Sequence, residues 1–161
     1  EDVKRLGIKT YFFFVFCAAY NRQIFTDLGG FVKRAIFNED MIYAAKAAKA
    51  GQKIAYCAGA KVYHSHNYSA KEQFHRNFDL GVSQADHPEV FGGLPSEGEG
   101  IRMVKQTVAY LWKNGYKRLI PTLVWTSAAK WFGFRFGKAY QKLPRKMVLR
   151  FTASPIYWKK K

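Results

Sequence analysis

Two adjacent carboxylates in the first third of the chain are the residues best placed to do chemistry. Glu39 and Asp40 directly precede an alanine-rich segment, 41–50, which is predicted to form a helix that ends at Gly51. A carboxylate at a helix N-terminus is kept ionised by the helix dipole and by the free backbone amides there. At the mouth of a cleft it can accept a proton from a bound hydroxyl group. The local pattern therefore leaves two roles open, a cap of the alanine helix and a general base, and favours the cap.

Two histidines follow at the end of a predicted pair of strands. Residues 53–57 and 61–64 have strand-like composition and are separated by a turn. His64 and His66 are two positions apart, so their side chains share one face if the strand continues. They are candidate metal ligands, and a hydrogen-bonded structural role is the alternative for each. Two histidines are too few for a zinc site, and no Cys/His spacing supports one.

The other predicted elements of this region would position these residues. Residues 10–19 form an unbroken aromatic and β-branched run, which is typical of a strand buried on both faces. A short helix is predicted over 22–28, and a longer one over 70–80. Phe78 is predicted on the buried side of the longer helix, and Asp79 on its surface.

The charge of the chain is concentrated in its last third. Residues 1–100 contain 12 Lys/Arg and 11 Asp/Glu, whereas residues 101–161 contain 15 Lys/Arg and no acidic residue. All four tryptophans also lie in the second region. A loop over 81–100, rich in Gly and Pro, separates the two regions. We therefore predict a first domain over 1–95 and a basic tail over 101–161.

Apolar residues recur at helical spacing at the start of the tail: Ile101, Val104, Val108 and Leu111. Basic amphipathic helices that carry tryptophan are typical of segments that lie on an anionic membrane surface. The apolar run over 119–129 is too short to span a bilayer. Two alternatives stay open: an ordinary helical appendage packed on the first domain, and a non-catalytic module that binds a membrane surface or a nucleic acid.

Four motifs occur in the order found in one known family: LGGF (28–31), NED (38–40), AGQKIAY (50–56) and VYHSHNYS (62–69). Together they resemble the second half of an inverting family 2 glycosyltransferase with a GT-A fold. The subgroup they resemble most is the bacterial rhamnosyltransferase-like enzymes that build surface polysaccharide. The resemblance implies an α/β fold, namely a partial GT-A (Rossmann-like) domain followed by the basic amphipathic helices.

The resemblance assigns roles to the acidic motif. In the family, the second acid of the ED pair is the general base that takes the proton of the acceptor hydroxyl, and this position is Asp40. Glu39 would orient Asp40 or hold a sugar hydroxyl, and Asn38 would contact the substrate. The implied activity is transfer of a sugar, rhamnose in the closest subgroup, from a nucleotide-sugar to a growing cell-surface glycan with inversion.

Further positions follow from the same resemblance. Gln73 and Arg76 have the QxxR spacing of a motif that lies near the acceptor in processive relatives, although Asn77 replaces the Trp of that motif. They would contact the substrate, with Arg76 paired to a diphosphate, and a solvated helix face is the alternative. His64 or His66 would supply a ligand to a divalent metal, Mg²⁺ or Mn²⁺, that neutralises the departing diphosphate.

The family's nucleotide-binding half, which ends in an Asp-x-Asp motif, has no counterpart here, and the sequence contains no D-x-D. In addition, Phe13-Phe14-Val15 stands where relatives carry a Ser/Asn-containing turn. The resemblance implies a missing N-terminal half as a partner, and the chain alone is expected to be inactive. It also implies a nucleotide-sugar donor, a glycan or polyprenyl-diphosphate-linked acceptor, and a cytoplasmic protein peripheral on the inner face of the membrane.

Overall fold

The computed structural model describes residues 11, 17–93 and 97–159, and the regular elements in these ranges are all helical. The helices are α1 (Arg22–Asp27), α2 (Glu39–Lys49), α3 (Ala70–Asp86), α4 (Pro88–Phe91), α5 (Glu97–Lys113), α6 (Ile120–Lys138), α7 (Arg145–Phe151) and α8 (Pro155–Lys159). Two single 3₁₀ turns, Lys117–Leu119 and Tyr140–Lys142, precede α6 and α7. Of the helices described, none combines the length and apolarity needed to cross a bilayer.

The segments predicted as strands are not paired in the described residues. Most of 10–19 lies outside those residues. Residues 53–57 and 61–64 are irregular and exposed, and between them the Ala60 N–H donates to the Cys57 carbonyl at 3.1 Å to form the predicted turn. A strand needs a neighbour for its backbone groups, and these two segments do not pair with each other, so the predicted pair of strands is not formed in the described residues. The α/β class therefore stays a prediction.

Helix α2 confirms the predicted alanine-rich helix. Its alanines carry little side-chain entropy cost and let the helix pack closely. Ala44 and Ala45 are each 1 % exposed and contact Met41, Ile42, Val90 and Phe91 in the first of two apolar clusters. Burial of this face fixes the rotation of α2 and, with it, the direction in which its first turn points.

Helix α3 begins as predicted but continues further. Ser69 forms a capping box with Glu72, in which each residue's side chain bonds the other's backbone N–H. The predicted end at residue 80 is wrong, because Gly81 does not stop the helix. A Cβ at Gly81 would overlap the Phe134 carbonyl oxygen of α6, so glycine is required here for close helix packing.

Helices α3 and α6 pack backbone against backbone through three glycines. A Cβ at Gly133 or Gly137 would overlap a carbonyl oxygen of α3, that of Phe74 or Phe78 respectively. Both glycines are buried. This contact joins the predicted tail to the first region, and the division into two domains remains a prediction.

The end of the chain also bonds directly to α3 through a buried carboxylate. Asp79 is 1 % exposed and accepts hydrogen bonds from the Thr152 hydroxyl at 2.6 Å and the Ala153 N–H at 3.0 Å. The predicted surface position of Asp79 is therefore wrong. Nearby, Phe78 and Val82 pack with Tyr140, Val148 and Trp158 in the second apolar cluster.

We expect Asp79→Asn to destabilise the fold by about 2 kcal/mol, because the amide nitrogen would face one of the two donors. Burial raises the pKa of the Asp79 carboxyl, although its hydrogen bonds oppose the shift. The folded state thus holds the proton more tightly than the unfolded state, and this contribution to stability falls as pH rises through the raised pKa.

The difference in unfolding free energy between Asp79→Asn and the unmodified chain should therefore be largest at low pH and shrink as pH rises. Urea unfolding at several pH values measures it. Asp27→Asn, at an exposed carboxylate, is the matched control. A difference that grows with pH would contradict the assigned direction.

Candidate active site

The acidic motif lies in the loop and first turn that open α2. Asn38 adopts a left-handed backbone conformation (φ 62°) immediately before the helix. Glu39 is exposed, whereas Asp40 is half-buried and its Oδ1 accepts the Met41 N–H at 2.7 Å. The Ser83 hydroxyl of α3 donates to the Phe37 carbonyl at 2.5 Å. The two helices together therefore fix the position of the carboxylates.

The side-chain amide of Asn38 is a buried donor with unused capacity. Asn38 is 5 % exposed, and its Nδ2 makes no hydrogen bond with the described residues. A buried polar group without a partner costs about 1–3 kcal/mol. The Asn38 amide lies one residue before two carboxylates. We therefore expect a ligand or another part of the protein to supply a hydrogen-bond acceptor for it.

Four aromatic rings pack beside the acidic motif. Tyr20, Phe25, Phe31 and Tyr43 have ring centroids 4.9–5.7 Å apart. Burial, followed by the negative charge of Asp40, raises the pKa of Tyr20 to about 12. The half-buried carboxylate is therefore bordered by an apolar wall. Such a setting excludes water from one side of the carboxylate.

Arg76 connects the acidic motif to the histidines through stacked groups. Its guanidinium lies 5.3 Å from the ring centroid of Phe37 and 4.7 Å from that of Tyr68. His66 stacks on Tyr68 at 4.8 Å, and His64 meets His66 edge-on at 4.3 Å. The structure thus brings Arg76, His66 and His64 into one row that begins beside Asn38. The row joins sequence positions up to 39 residues apart, Phe37 and Arg76.

A cleft of about 350 Å³ borders the middle of this row, at Tyr68 and Arg76. It is lined by Tyr68, Glu72, His75, Arg76, Thr152 and Ala153. His75 Nδ1 lies 2.8 Å from the Phe151 carbonyl oxygen, which ties the tail to this wall. Gln73 is half-buried on α3 but does not line the cleft. Sequence patterns did not single out Thr152 or Ala153, because their contribution depends on contacts across more than 70 residues.

The predicted metal ligands do not by themselves fit a divalent metal. His64 and His66 are exposed, and within the described ranges no group of three His, Cys, Asp or Glu side chains could hold a metal ion. Mg²⁺ requires oxygen ligands in near-octahedral geometry, and Mn²⁺ likewise favours carboxylates and water. Two imidazoles do not meet this requirement, and the metal stays a prediction that depends on ligands from elsewhere.

The acidic motif does not line the cleft: neither Asn38 nor Asp40 is among its lining residues. The chain is similar over 98 % of its length to two curated proteins. It is 45 % identical over 161 residues to the O-antigen chain rhamnosyltransferase WbaN of Salmonella anatum. It is 44 % identical over 160 residues to the O-antigen chain rhamnosyltransferase RfbN of Salmonella typhimurium (strain LT2).

In each case the aligned region is 50 % of the relative, so the chain spans about half the length of the curated relatives it matches. No protein family model matches the chain, and no solved structure matches it. The aligned region covers 98 % of the chain and therefore spans residues 28–69, in which the four motifs lie.

Proposed function

We propose that the chain is the acceptor-side part of an inverting glycosyltransferase that moves rhamnose from a nucleotide-sugar to a cell-surface glycan. The supporting observation is the 45 % identity to an O-antigen rhamnosyltransferase along almost the entire chain. The site adds a half-buried carboxylate at a helix N-terminus next to an aromatic wall. If Glu39 and Asp40 only capped α2, the buried side-chain amide of Asn38 would not need to lack a hydrogen-bond acceptor.

In the proposed reaction Asp40 acts as general base. The acceptor hydroxyl oxygen attacks the anomeric carbon of the donor sugar as its proton passes to an oxygen of Asp40. The bond from the anomeric carbon to the diphosphate oxygen breaks, and the nucleoside diphosphate leaves with the electron pair. The attack comes from the face opposite the leaving group, so the configuration inverts. A positioned base contributes roughly 10²–10⁴-fold to the rate.

Neighbouring residues orient the reactants. Asn38 Nδ2 has a free N–H for a sugar oxygen, and Glu39 is exposed at the same helix end to hold a hydroxyl. The Arg76 guanidinium lies near the rings of Phe37 and Tyr68, so it loses little freedom when it pairs with a diphosphate oxygen. Gln73 lies one turn before Arg76 and contacts the acceptor.

The missing nucleotide-binding half completes the proposed enzyme. Residues 51–67 are exposed throughout, and Tyr56 is 93 % exposed. In the proposal, this segment adds strands to a sheet shared with that half, which gives the α/β GT-A fold and further metal ligands. The acceptor is carried on a polyprenyl diphosphate at the inner membrane face. The chain alone binds no donor and is inactive.

A chimera tests this proposal. The part of the S. anatum rhamnosyltransferase that this chain does not match is joined to residues 1–161 and expressed in a host that lacks that enzyme. We expect restored transfer of rhamnose to the O-antigen acceptor, seen with a radiolabelled nucleotide-rhamnose donor. A chimera that unfolds cooperatively on heating and binds donor, yet transfers no sugar, would contradict the proposal.

A further inference from the structure

The connection between α5 and α6 displays large apolar side chains to solvent. We refer to residues 110–125 as the hairpin tip. Trp112 is 62 % exposed and Trp125 is 70 % exposed. Four more apolar side chains of the tip are at least half exposed: Tyr110, Tyr116, Leu119 and Val124. Six exposed large apolar side chains within 16 residues are typical of an interaction surface.

The hairpin tip is an ordered structure. Gly115 has φ 82° and ends α5 in a Schellman motif. The Tyr116 N–H donates to the Leu111 carbonyl at 2.8 Å, and the Gly115 N–H donates to the Trp112 carbonyl at 3.4 Å. The backbone groups at the end of α5 are therefore hydrogen-bonded within the tip, and the exposed side chains are the groups available to contact a partner.

Basic residues surround these apolar groups. Lys113, Lys117 and Arg118 lie in the tip and are exposed, and the Lys117 ammonium lies 4.2 Å from the ring centroid of Trp112. The sequence from residue 101 to the end contains 15 Lys/Arg and no acid. The tail is therefore attracted to an anionic surface, and no acidic side chain of the tail weakens this attraction.

Several residues further along the tail pack against other parts of the protein. Gly133 and Gly137 lie against α3, and Tyr140, Val148 and Trp158 are buried in the second apolar cluster. Trp125 precedes Gly133 by eight residues, which is about 12 Å along a helix. The C-terminal half of α6 is thus fixed against α3, and the hairpin tip lies at the other end of α6.

We propose that the hairpin tip inserts its apolar side chains into the headgroup region of an anionic phospholipid bilayer, with its basic residues on the lipid phosphates. Indole rings favour this interface, where the ring is buried and the N–H stays hydrated. Aliphatic Leu119 and Val124 gain contact with acyl chains but find no stacking partner in a nucleic acid. This inference narrows the membrane-facing part of the tail to its first half and does not depend on sugar transfer.

Flotation with sonicated vesicles tests the inference on the chain of residues 1–161. We expect the chain to bind vesicles of mixed phosphatidylglycerol and phosphatidylcholine and to bind little to phosphatidylcholine alone. Added salt should weaken the binding to the anionic vesicles. Trp112→Ala/Trp125→Ala should lower the partition coefficient at least tenfold. Lys113→Gln/Lys117→Gln/Arg118→Gln should lower it by up to about fivefold per charge. Brominated lipids should quench the tryptophan fluorescence of the unmodified chain.

Tyr56→Ala/Tyr63→Ala is the matched control, because it removes two exposed rings outside the tip and should leave partitioning within twofold. Equal loss in this control, or partitioning that neither tip variant lowers, overturns the inference. Two other outcomes also overturn it: salt-sensitive binding to a single-stranded oligonucleotide without vesicle binding, and lipid-free self-association that the Trp variants abolish. Circular dichroism of each variant confirms that the helices are retained.

Discussion

In the chimera, Asp40→Asn is expected to lower the rate of rhamnose transfer by roughly 10²–10⁴-fold, the contribution of a positioned general base. The amide keeps the size of the carboxylate and can still accept the Met41 N–H, so the first turn of α2 should keep its geometry. It cannot take the proton of the acceptor hydroxyl. The measurement is the initial rate with radiolabelled donor, together with the donor dissociation constant.

The donor dissociation constant should be unchanged, because the base acts on the acceptor. Asp27→Asn provides the matched control: its carboxylate is exposed on α1 and accepts from Gln23, and its transfer rate should stay within twofold. If Asp40→Asn retained near-normal turnover, Asp40 would be a helix cap and not the base. If it lost donor binding instead, its role would be structural.

Gly137→Ala is expected to destabilise the protein by about 3 kcal/mol, the cost of overpacking a close backbone contact. The added methyl group would lie 2.9 Å from the Phe78 carbonyl carbon and 3.0 Å from the Gly81 Cα, and would overlap the Phe78 carbonyl oxygen. These are backbone atoms, so α3 and α6 must separate. The melting temperature should fall by about 6–12 °C.

Gly100→Ala is the matched control, because that glycine lies in α5 with no atom within 4 Å of an added Cβ. There alanine should raise the stability by about 0.5–1 kcal/mol through helix propensity. Thermal unfolding of both variants, followed by circular dichroism, measures the two effects. A loss of less than 1 kcal/mol for Gly137→Ala would show that the glycine contact between α3 and α6 is not needed for stability.

Local sequence signals predicted the helices that local chemistry determines. The alanines of α2 and the Ser69–Glu72 capping box of α3 act within a few residues, so their effect can be recognised without tertiary structure. The continuation of α3 through Gly81 could not be recognised, because the glycine meets α6 more than 50 residues away. Asp79 was misplaced for the same reason, since its two donors lie at the far end of the chain.

The candidate site was predicted in part. The motif order predicted that the acidic motif and the histidines meet in space, and the structure shows ring contacts that link Phe37, Arg76, Tyr68 and His66. The β-like composition of 53–57 did not produce a strand, because this segment is exposed and does not pair with 61–64 in the described residues. The roles of Asp40 and the histidines remain predictions from the resemblance.

The anomeric configuration of the newly formed linkage tests the central claim most directly. The chimera is supplied with a nucleotide-sugar of known configuration, and the one-bond C1–H1 coupling constant of the product is measured by NMR. Direct attack by an acceptor hydroxyl that Asp40 deprotonates predicts a configuration opposite to that of the donor. A product with the donor's own configuration would contradict the mechanism, because retention does not arise from a single displacement assisted by a base.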